Sequence, residues 1–402
     1  MEHSHHIVPK LAEIARRTIE LCPGTTVKEV AEIFHKEPSL LALPVTDQGR
    51  FMGIISRKTL FSRHLGRPFA MDLYGKKPIQ ILLEAESLAM APELDINSSL
   101  ARLLEVDPEL ETDSFPVVAG DRYIGIVPVS ALMMKISETQ AILFETLDKL
   151  DARLREEIIK ARKIQQDLLP QAESRIGGIT VSAEVVTSSE IGGDFYDYFY
   201  LEDGRLGLVV ADVSGHGVQS GMVTTAAKAS LHTLIDQGVT TPAELLRGMN
   251  NAILATARQT LLMTCLIVVI DQGRKQIVIA NAGHNFPYLF RDGTGALEML
   301  ARDSAGFPLG FEKDSSYREV ADSFDEGDAL FMYTDGLLEC RSQEDKEFGY
   351  GRLESLLNAA MHRSPHEVKK HLLETACRFT GTQSFEDDVT MLIAAFHPQE
   401  IH

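Results

Sequence analysis

Aspartates at the ends of apolar, strand-like stretches are the feature that most constrains how this chain folds. Asp212 lies at the end of the stretch Leu206–Val213, and glycines just after it let the backbone turn sharply and approach an ion. Comparable turns carry Asp194, Asp335 and the pair Asp387–Asp388. These carboxylates are far apart in the chain, so they meet only where several strand ends meet. Hard oxygen ligands suit Mg²⁺ or Mn²⁺, and the sequence therefore predicts a site for such ions.

Other kinds of hydrolytic and phosphate chemistry lack their motifs here. The chain has no Gly-x-x-x-x-Gly-Lys loop, no Cys-x₅-Arg loop and no Gly-x-Ser-x-Gly turn. No cluster of histidines and cysteines has the spacing of a zinc site. The chemistry most consistent with the aspartates is hydrolysis by a water molecule that two metal ions activate.

Composition limits the class of protein. A chain of 402 residues, 44% apolar and 24% charged, predicts two or three ordinary globular domains. The net charge of −19 argues against nucleic acid as the main partner. The longest apolar run, Leu261–Ile270, is too short to span a membrane, and the first residues lack an apolar signal core. The four cysteines show no metal spacing, so we expect reduced thiols in a cytoplasmic protein.

The C-terminal half mixes strand and helix patterns. Strands outnumber helices and hairpin-like spacing dominates, which favours antiparallel sheets with helices outside them, an α+β class. The predicted strands are Thr180–Val186, Phe195–Tyr200, Leu206–Val213, Leu262–Ile270, Gln276–Ala282, Tyr288–Phe290, Ala329–Thr334 and Val389–Phe396. The predicted helices are Val218–Asp236, Pro242–Gln259, Gly351–Met361 and Pro365–Thr380.

A repeat occupies the N-terminal third. The stretches 43–56 and 115–128 align with their Pro and Gly residues at the same offset, and each reads strand, turn, strand. The pattern resembles a pair of CBS motifs, which implies an α/β module that often binds adenine nucleotides and regulates an attached domain. Where ribose-binding CBS motifs carry an Asp, this chain has Thr59 and Ala131. A module for packing and dimerisation is therefore the alternative to a nucleotide site.

A long helix is predicted to join the two halves. Residues 135–169 contain no Gly or Pro, and the helix pattern stops at Pro170. Apolar residues follow alternating steps of four and three with one miss at Glu157, which predicts a coiled-coil seam and a homodimer. The seam comprises Leu143, Leu147, Leu150, Leu154, Ala161, Ile164 and Leu168. The alternative is a helix that lies on its own domain. We thus expect a regulatory module at 7–135, a linker helix at 136–170 and a catalytic domain at 171–397.

The catalytic domain carries several motifs in a fixed order. They are Gly-Gly-Asp194-Phe-Tyr-Asp, Asp212-Val-Ser-Gly-His-Gly, Asn281-Ala-Gly-His-Asn-Phe-Pro, Gly306-Phe-Pro-Leu-Gly, Thr334-Asp-Gly and Asp387-Asp-Val-Thr. With Gln165-Gln-Asp-Leu-Leu-Pro before them, they resemble the PPM metal-dependent serine/threonine phosphatases of the bacterial RsbU/SpoIIE branch. The resemblance implies an αββα sandwich with two Mn²⁺ or Mg²⁺ ions.

The same resemblance implies roles for single residues. Asp212 bridges the two ions and is the central catalytic residue; Asp194 and the Val213 carbonyl bind one ion, and Asp335 and Asp387 the other. Asp388 is a further metal candidate, and Asp197 a residue that could substitute or support the ligands. Ser214 stands where eukaryotic members carry a candidate general-acid histidine, and His216 follows two residues later.

The implied function is a regulated protein-serine/threonine phosphatase. The usual substrate in this branch is a phosphorylated STAS-type anti-sigma-factor antagonist. We expect no nucleic acid or membrane partner, and signalling from the N-terminal module through the linker to the helix Val218–Asp236. Two alternatives come from other classes: a catalytically silent phosphatase-like scaffold, and a ligand-sensing protein whose output is dimerisation.

Overall fold

The structure, a computed structural model, describes residues 8–83, 88–215, 217–257 and 260–397. The chain forms two compact units, Met1–Ala152 and Arg153–His402. The boundary between them falls inside one long helix. Within the described residues, no helix combines the length and the apolar composition that a membrane crossing needs.

The N-terminal unit is built from two similar β-hairpins. In β1–β2, Ala42 pairs with Ser56, and in β3–β4, Ser114 pairs with Pro128; each hairpin has one irregularity at the same place in its register. The hairpins join in a sheet of order β1-β2-β4-β3, so the repeat predicted from the sequence is confirmed as a structural repeat. The elements are α1 (Leu11–Ile14), α2 (Val27–Lys36), β1 (Ala42–Asp47), β2 (Arg50–Ser56), α3 (Arg57–Thr59) with a π-helical turn (Leu60–His64), α4 (Ala70–Tyr74), a 3-10 turn (Ile79–Leu82), α5 (Ile96–Val106), β3 (Ser114–Ala119) and β4 (Arg122–Pro128).

The linker helix, α6, spans Val129–Leu168 and is 40 residues long. It begins earlier than the sequence predicted because its first turns belong to the N-terminal core, where Leu132 and Ile136 are buried. Farther along, the predicted seam residues Leu147 and Leu154 are 52% and 61% exposed. The helix is therefore observed, whereas the coiled coil stays a prediction.

The C-terminal unit contains two six-stranded sheets, with orders β13-β10-β9-β8-β7 (β14 also pairs with β10) and β12-β11-β15-β16-β6-β5. All strand pairs are antiparallel except β10–β13. The strands are β5 (Glu173–Ile176), β6 (Ile179–Val186), β7 (Phe195–Tyr200), β8 (Leu206–Val213), β9 (Met263–Asp271), β10 (Gln276–Ala282), β11 (Tyr288–Arg291), β12 (Ala296–Met299), β13 (Ala305–Gly306), β14 (Glu319–Ser323), β15 (Ala329–Tyr333) and β16 (Val389–Phe396). The helices are α7 (Val218–Asp236), α8 (Pro242–Ala257), α9 (Gly336–Glu339), α10 (Gly349–Ala360) and α11 (Pro365–Thr380).

Three apolar layers hold this unit together. One lies between helices α7 and α8 and the first sheet, a middle layer lies between the sheets, and the third lies between the second sheet and helices α10 and α11. One strand contributes to two of these layers, because its side chains point alternately to opposite faces of the sheet. In β8, Val209 and Ala211 belong to the helix-side layer, and Leu208 and Val210 belong to the middle layer. The arrangement is the predicted αββα sandwich.

Most predicted elements of the C-terminal unit appear where the sequence placed them. Helix Val218–Asp236 and strands Phe195–Tyr200 and Gln276–Ala282 agree to the residue. The end of the predicted helix Pro242–Gln259 lies outside the described residues, as does His216. The short elements β5, β12, β13, β14 and α9 were not predicted, because stretches of two to five residues carry too little periodicity.

Candidate metal centre

Asp212 and Asp194 enter the site from the first sheet. Asp212 lies on β8 between Ala211 and Val213, which both face the helices, so its own side chain faces the second sheet. Asp194 immediately precedes Phe195, which also faces the helices. Asp194 is 4% exposed, and its Oδ2 accepts a hydrogen bond of 2.8 Å from the Thr334 hydroxyl of the other sheet. The two sheets are therefore linked directly beside these carboxylates.

Asp335 and Asp387 come from the second sheet. Asp335 follows β15 and Asp387 precedes its neighbour β16, and the two strands are fastened at this end by Thr334 N–H donating to the Thr390 carbonyl at 3.0 Å. Gly336 is required here, because a Cβ at that position would overlap the carbonyl oxygen of Asp388. The close approach places the Asp335 and Asp387 turns side by side.

Asp388 holds the turn that carries Asp194. Its carboxylate accepts hydrogen bonds from the backbone N–H of Gly193 at 2.6 Å and from that of Ser188 at 2.7 Å. Gly193 has no room for a side chain, since a Cβ would lie 2.7 Å from the carbonyl oxygen of Val213. The Val213 carbonyl is thus next to the turn, as a shared ligand position with Asp194 requires. The bonding of Asp388 fits the support of ligands better than direct metal binding.

The electrostatics show that the carboxylates interact. Burial, and then the charges of Asp335, Asp387 and Asp388, raise the pKa of Asp212 to about 7. Burial and the neighbouring Asp212 hold the pKa of Asp194 well above its usual range. Burial and Asp387 likewise raise the pKa of Asp335. The raised pKa values of Asp194, Asp212 and Asp335 therefore show that carboxylates from separate turns come close together at one end of the middle layer.

This donor set suits a hard divalent cation. Asp194 Oδ1 is buried and makes no hydrogen bond of normal geometry within the described part of the chain, although the Thr390 hydroxyl lies close enough to lower its pKa, so this oxygen is open to a ligand. A cation would also favour the ionised carboxylates, whose pKa values burial and mutual repulsion raise. Among the described residues, no three His, Cys, Asp or Glu side chains already surround a common point in metal-binding geometry. Mutually repelling carboxylates have a physical reason to stand apart, and ligation would draw them together.

Asp197 faces away from this centre. It lies on the helix side of β7, where its Oδ2 accepts from Lys228 Nζ at 2.9 Å and lies 2.7 Å from His232 Nε2. Its Oδ1 accepts from the backbone N–H of Tyr198 at 2.9 Å. Asp197 therefore fastens α7 to the sheet, and the idea that it could substitute for a metal ligand does not fit its position.

Gln165, near the end of α6, is a structural residue of the site that sequence reasoning did not single out. Its amide nitrogen donates to the Gly192 carbonyl at 2.7 Å, and its amide oxygen accepts from the Gly192 N–H at 3.1 Å. From α7, the Thr224 hydroxyl donates to the Gly193 carbonyl at 2.6 Å. The turn before Asp194 is thus hydrogen-bonded to both α6 and α7. Only its place in a motif pointed to Gln165, because a glutamine on a helix has many uses.

Comparisons with known proteins agree with this architecture. Residues 202–397 match the family described as stage II sporulation protein E (SpoIIE), and residues 11–66 match the CBS domain. The phosphoserine phosphatase RsbU of Bacillus subtilis is 24% identical over 251 residues, which cover 62% of this chain and 72% of RsbU. The phosphoserine phosphatase RsbP of the same organism is 30% identical over 186 residues, 46% of this chain and 45% of RsbP. The solved SiaA-PP2C domain of Pseudomonas aeruginosa is 25% identical, with a TM-score of 0.54 over 61% of this chain and 98% of that domain.

The C-terminal unit is therefore a protein-serine/threonine phosphatase domain of PP2C fold. The chain joins it to an N-terminal CBS domain and is similar in sequence to PPM phosphatases of the RsbU/SpoIIE branch. It spans less than half the length of RsbP, so activity, substrate and partners of the whole protein are treated below as proposals.

Proposed function

We propose that this protein hydrolyses phosphoserine or phosphothreonine in a partner protein with two Mn²⁺ or Mg²⁺ ions at the carboxylate centre. The observation that carries the proposal is that the turns of Asp194, Asp212, Asp335 and Asp387 come together from both sheets, where burial and neighbouring carboxylates raise the pKa values of Asp194, Asp212 and Asp335. The kinship with phosphoserine phosphatases RsbU and RsbP supports the reaction class.

The residues present define which side chains would hold the ions. Asp212 lies centrally, because its pKa responds to Asp194, Asp335 and Asp387, and we assign it the bridging position. Asp194 and the Val213 carbonyl, brought together at Gly193, would complete one ion's protein ligands. Asp335 and Asp387 would serve the other. Asp388 would fix the Asp194 turn, because its carboxylate accepts a hydrogen bond from the backbone N–H of Gly193.

The chemistry follows from that arrangement. When bound, the ions supply Lewis acidity that lowers the pKa of a water molecule and offsets charge on the phosphoryl oxygens. The chain holds the ligands in place, since Asp194 accepts a hydrogen bond from Thr334 and the Asp388 carboxylate accepts one from the backbone N–H of Gly193 just before it. The chain's part in catalysis is thus mainly preorganisation of ligands on rigid strand ends.

The proposed substrate is a phosphorylated STAS-type protein, the usual target in this branch. The exposed seam of α6 supports a parallel homodimer through the linker, because Leu143, Leu147 and Leu150 are each more than half exposed. The hydrogen bond from Gln165 to the Gly192 carbonyl supports signalling through α6, because a movement of α6 would shift the Asp194 turn and α7, which packs on it. Four unpaired cysteines fit a cytoplasmic location.

The N-terminal unit is proposed to sense a ligand. A cavity of about 370 Å³ lies between the two repeats, beside β2, α3 and the residues before β3. Lys58 lines it and donates to the Glu111 carbonyl at 3.0 Å, and Thr59 stands where a ribose-binding Asp is usual in the CBS family. An adenine nucleotide is the ligand to test first, by calorimetric titration of ATP, ADP and AMP into the full chain. No heat of binding with any of them leaves the packing and dimerisation role.

Phosphate release tests the central proposal. The full chain and its Asp212→Ala variant are assayed with Mn²⁺ on a panel of phosphorylated STAS proteins, with EDTA as the metal-free control. We expect Mn²⁺-dependent release by the parent and a loss of at least about a hundredfold in the variant, the scale of removing one essential electrostatic group. An inactive parent that still binds the phosphoproteins would favour the scaffold alternative.

A further inference from the structure

His284 is buried where the chain crosses from the first sheet to the second, between β10 and β11. Its backbone N–H donates to Asn281 Oδ1 at 2.7 Å, and Asn281 Nδ2 donates to the His284 carbonyl at 2.9 Å. Gly283 before it has a φ of +68°. Asn281 is fully buried and His284 is 5% exposed, so this turn fixes the position of the imidazole firmly.

The ring is tied to the strand beside Asp212. His284 Nδ1 lies 2.7 Å from the Thr264 hydroxyl. Thr264 on β9 is the direct cross-strand partner of Asp212 on β8. Directly opposed residues of antiparallel strands share a face of the sheet, with Cβ atoms about 5 Å apart. A shift of Thr264 would therefore displace Asp212 as well.

The other side of the ring faces the second sheet. The backbone of Tyr333 lies close enough to the imidazole to raise its pKa through a hydrogen bond. Tyr333 directly precedes Thr334 and Asp335. His284 therefore stands between the strand that carries Asp212 and the strand end that carries Asp335. Thr334, which hydrogen bonds to Asp194, belongs to the same strand end.

Stability alone does not account for a polar ring here. His284 Nε2 is buried and makes no hydrogen bond of normal geometry among the described residues, although the backbone of Tyr333 lies close enough to affect its pKa. A buried unsatisfied group costs roughly 1–3 kcal/mol, and an apolar side chain would avoid that cost. The ring does, however, contact Thr264 beside Asp212 and lies close to the backbone of Tyr333, two residues before Asp335.

We propose that His284, through Thr264, is a positioning residue that holds the Asp212 and Asp335 strand ends at the separation a metal pair needs. The inference rests on the proposed two-metal centre. It adds a support between the sheets that is neither a ligand nor a group in contact with substrate. Its loss is expected to weaken metal binding before it impairs the fold.

Mn²⁺ binding to the full chain tests this, followed by the EPR signal of free Mn²⁺ and by calorimetry. The variants are His284→Gln, Thr264→Val and the double variant. Ile279→Val is the matched control, because Ile279 is fully buried in the same middle layer on β10 and its truncation loosens the core without touching the proposed link. We expect each single variant to bind Mn²⁺ about tenfold more weakly, as for other residues that orient ligands, and the double variant to be little worse than either.

The outcomes separate the two claims. A parent that binds no Mn²⁺ contradicts the proposed metal centre and this inference together. A parent that binds Mn²⁺, with His284→Gln and Thr264→Val indistinguishable from Ile279→Val, contradicts the role of His284 alone. If His284→Gln does not fold, Thr264→Val decides, because replacing one hydroxyl by a methyl group keeps the side chain's volume.

Discussion

Single residues of the site are placed by the two-residue alternation of strands. Asp194 and Asp212 face the middle layer because their neighbours Phe195, Ala211 and Val213 pack against helices. Asp197 is only three residues from Asp194, yet it faces α7 and binds Lys228. An aspartate near a metal site is thus assigned by its face on the strand as well as by its motif.

The Asp212 carboxylate is expected to be needed for metal and to oppose folding without it. Asp212→Asn keeps the size of the side chain and removes a charge that neighbouring carboxylates disfavour. We expect Mn²⁺ to stabilise the parent but not the variant in thermal melts, whereas in EDTA the variant melts at the same temperature as the parent or higher. A variant that melts well below the parent in EDTA would show that repulsion at Asp212 is not significant.

His284 gives a prediction about pH and stability. Burial lowers the pKa of its imidazole from 6.5 to about 4, so protons bind more tightly to the unfolded chain. The folded state is therefore unaffected by His284 above pH 6.5 and loses stability as the pH falls from there towards 4, by about 2 kcal/mol at pH 5. Denaturant unfolding of the parent and of His284→Gln at pH 8 and pH 5 measures this.

Between pH 8 and pH 5, the free energy of unfolding should fall by about 2 kcal/mol more in the parent than in His284→Gln. Contributions from all other titrating groups are common to both proteins and cancel in the difference. Equal losses in the parent and in His284→Gln would mean that the imidazole titrates normally in the folded protein.

At the scale of elements, helix α7 packs unusually closely on the turn before Asp194. A Cβ on Gly221 would overlap Cγ2 of Ile191, whereas a Cβ on Gly351, near the start of α10, would meet nothing within 4 Å. Gly→Ala within a helix ordinarily stabilises by about 0.5–1 kcal/mol. The two glycines therefore form a matched pair with opposite expectations.

Gly221→Ala should destabilise the protein by about 1–3 kcal/mol through overpacking and weaken Mn²⁺ binding, because the Ile191–Gly193 turn must shift. Gly351→Ala should be neutral or stabilising and leave Mn²⁺ binding unchanged. In an Ile191→Ala background, which removes the overlapping methyl group, the cost of Gly221→Ala should fall. Thermal melts and Mn²⁺ titrations of the parent, the three single variants and the double variant check this, and a Gly221→Ala protein as stable as Gly351→Ala contradicts it.

The elements also show what a sequence can and cannot predict. Long strands and helices such as β8 and α7 were predictable because their periodicity and the glycines beside them agree. The convergence of the carboxylates was predictable from their place at strand ends. The partners of Asp388, Gln165 and His284 were not, because their hydrogen bonds join residues that only the packed sheets and helices bring together.

At the scale of the whole molecule, one helix runs from the CBS unit into the phosphatase unit. Its exposed leucines predict a dimer. The double variant Leu147→Glu with Leu154→Glu should disrupt that dimer, because each glutamate would face the same glutamate of the second chain across the seam. Ala152→Glu with Ile159→Glu is the control, since both side chains are exposed on the opposite side of the helix. Light scattering should find a dimer for the parent and control and a monomer for the seam variant. A monomeric parent contradicts the seam.

Removal of residues 1–135 should change the phosphatase rate if the linker carries a signal to α7 and the Asp194 turn. The rate is measured with a phosphorylated STAS protein, and the oligomeric state is measured in parallel. An unchanged rate together with an unchanged oligomeric state would contradict a regulatory role for the N-terminal unit.

Mn²⁺ stoichiometry tests the central claim most directly. Calorimetric titration of the full chain should give two Mn²⁺ ions per chain, and EPR of the loaded protein should show a spin-coupled pair, because one carboxylate, Asp212, is assigned to both ions. Asp212→Ala should lose the coupled signal and at least one of the two ions. Absence of Mn²⁺ binding by the parent, or an unaltered coupled pair in Asp212→Ala, would contradict the account.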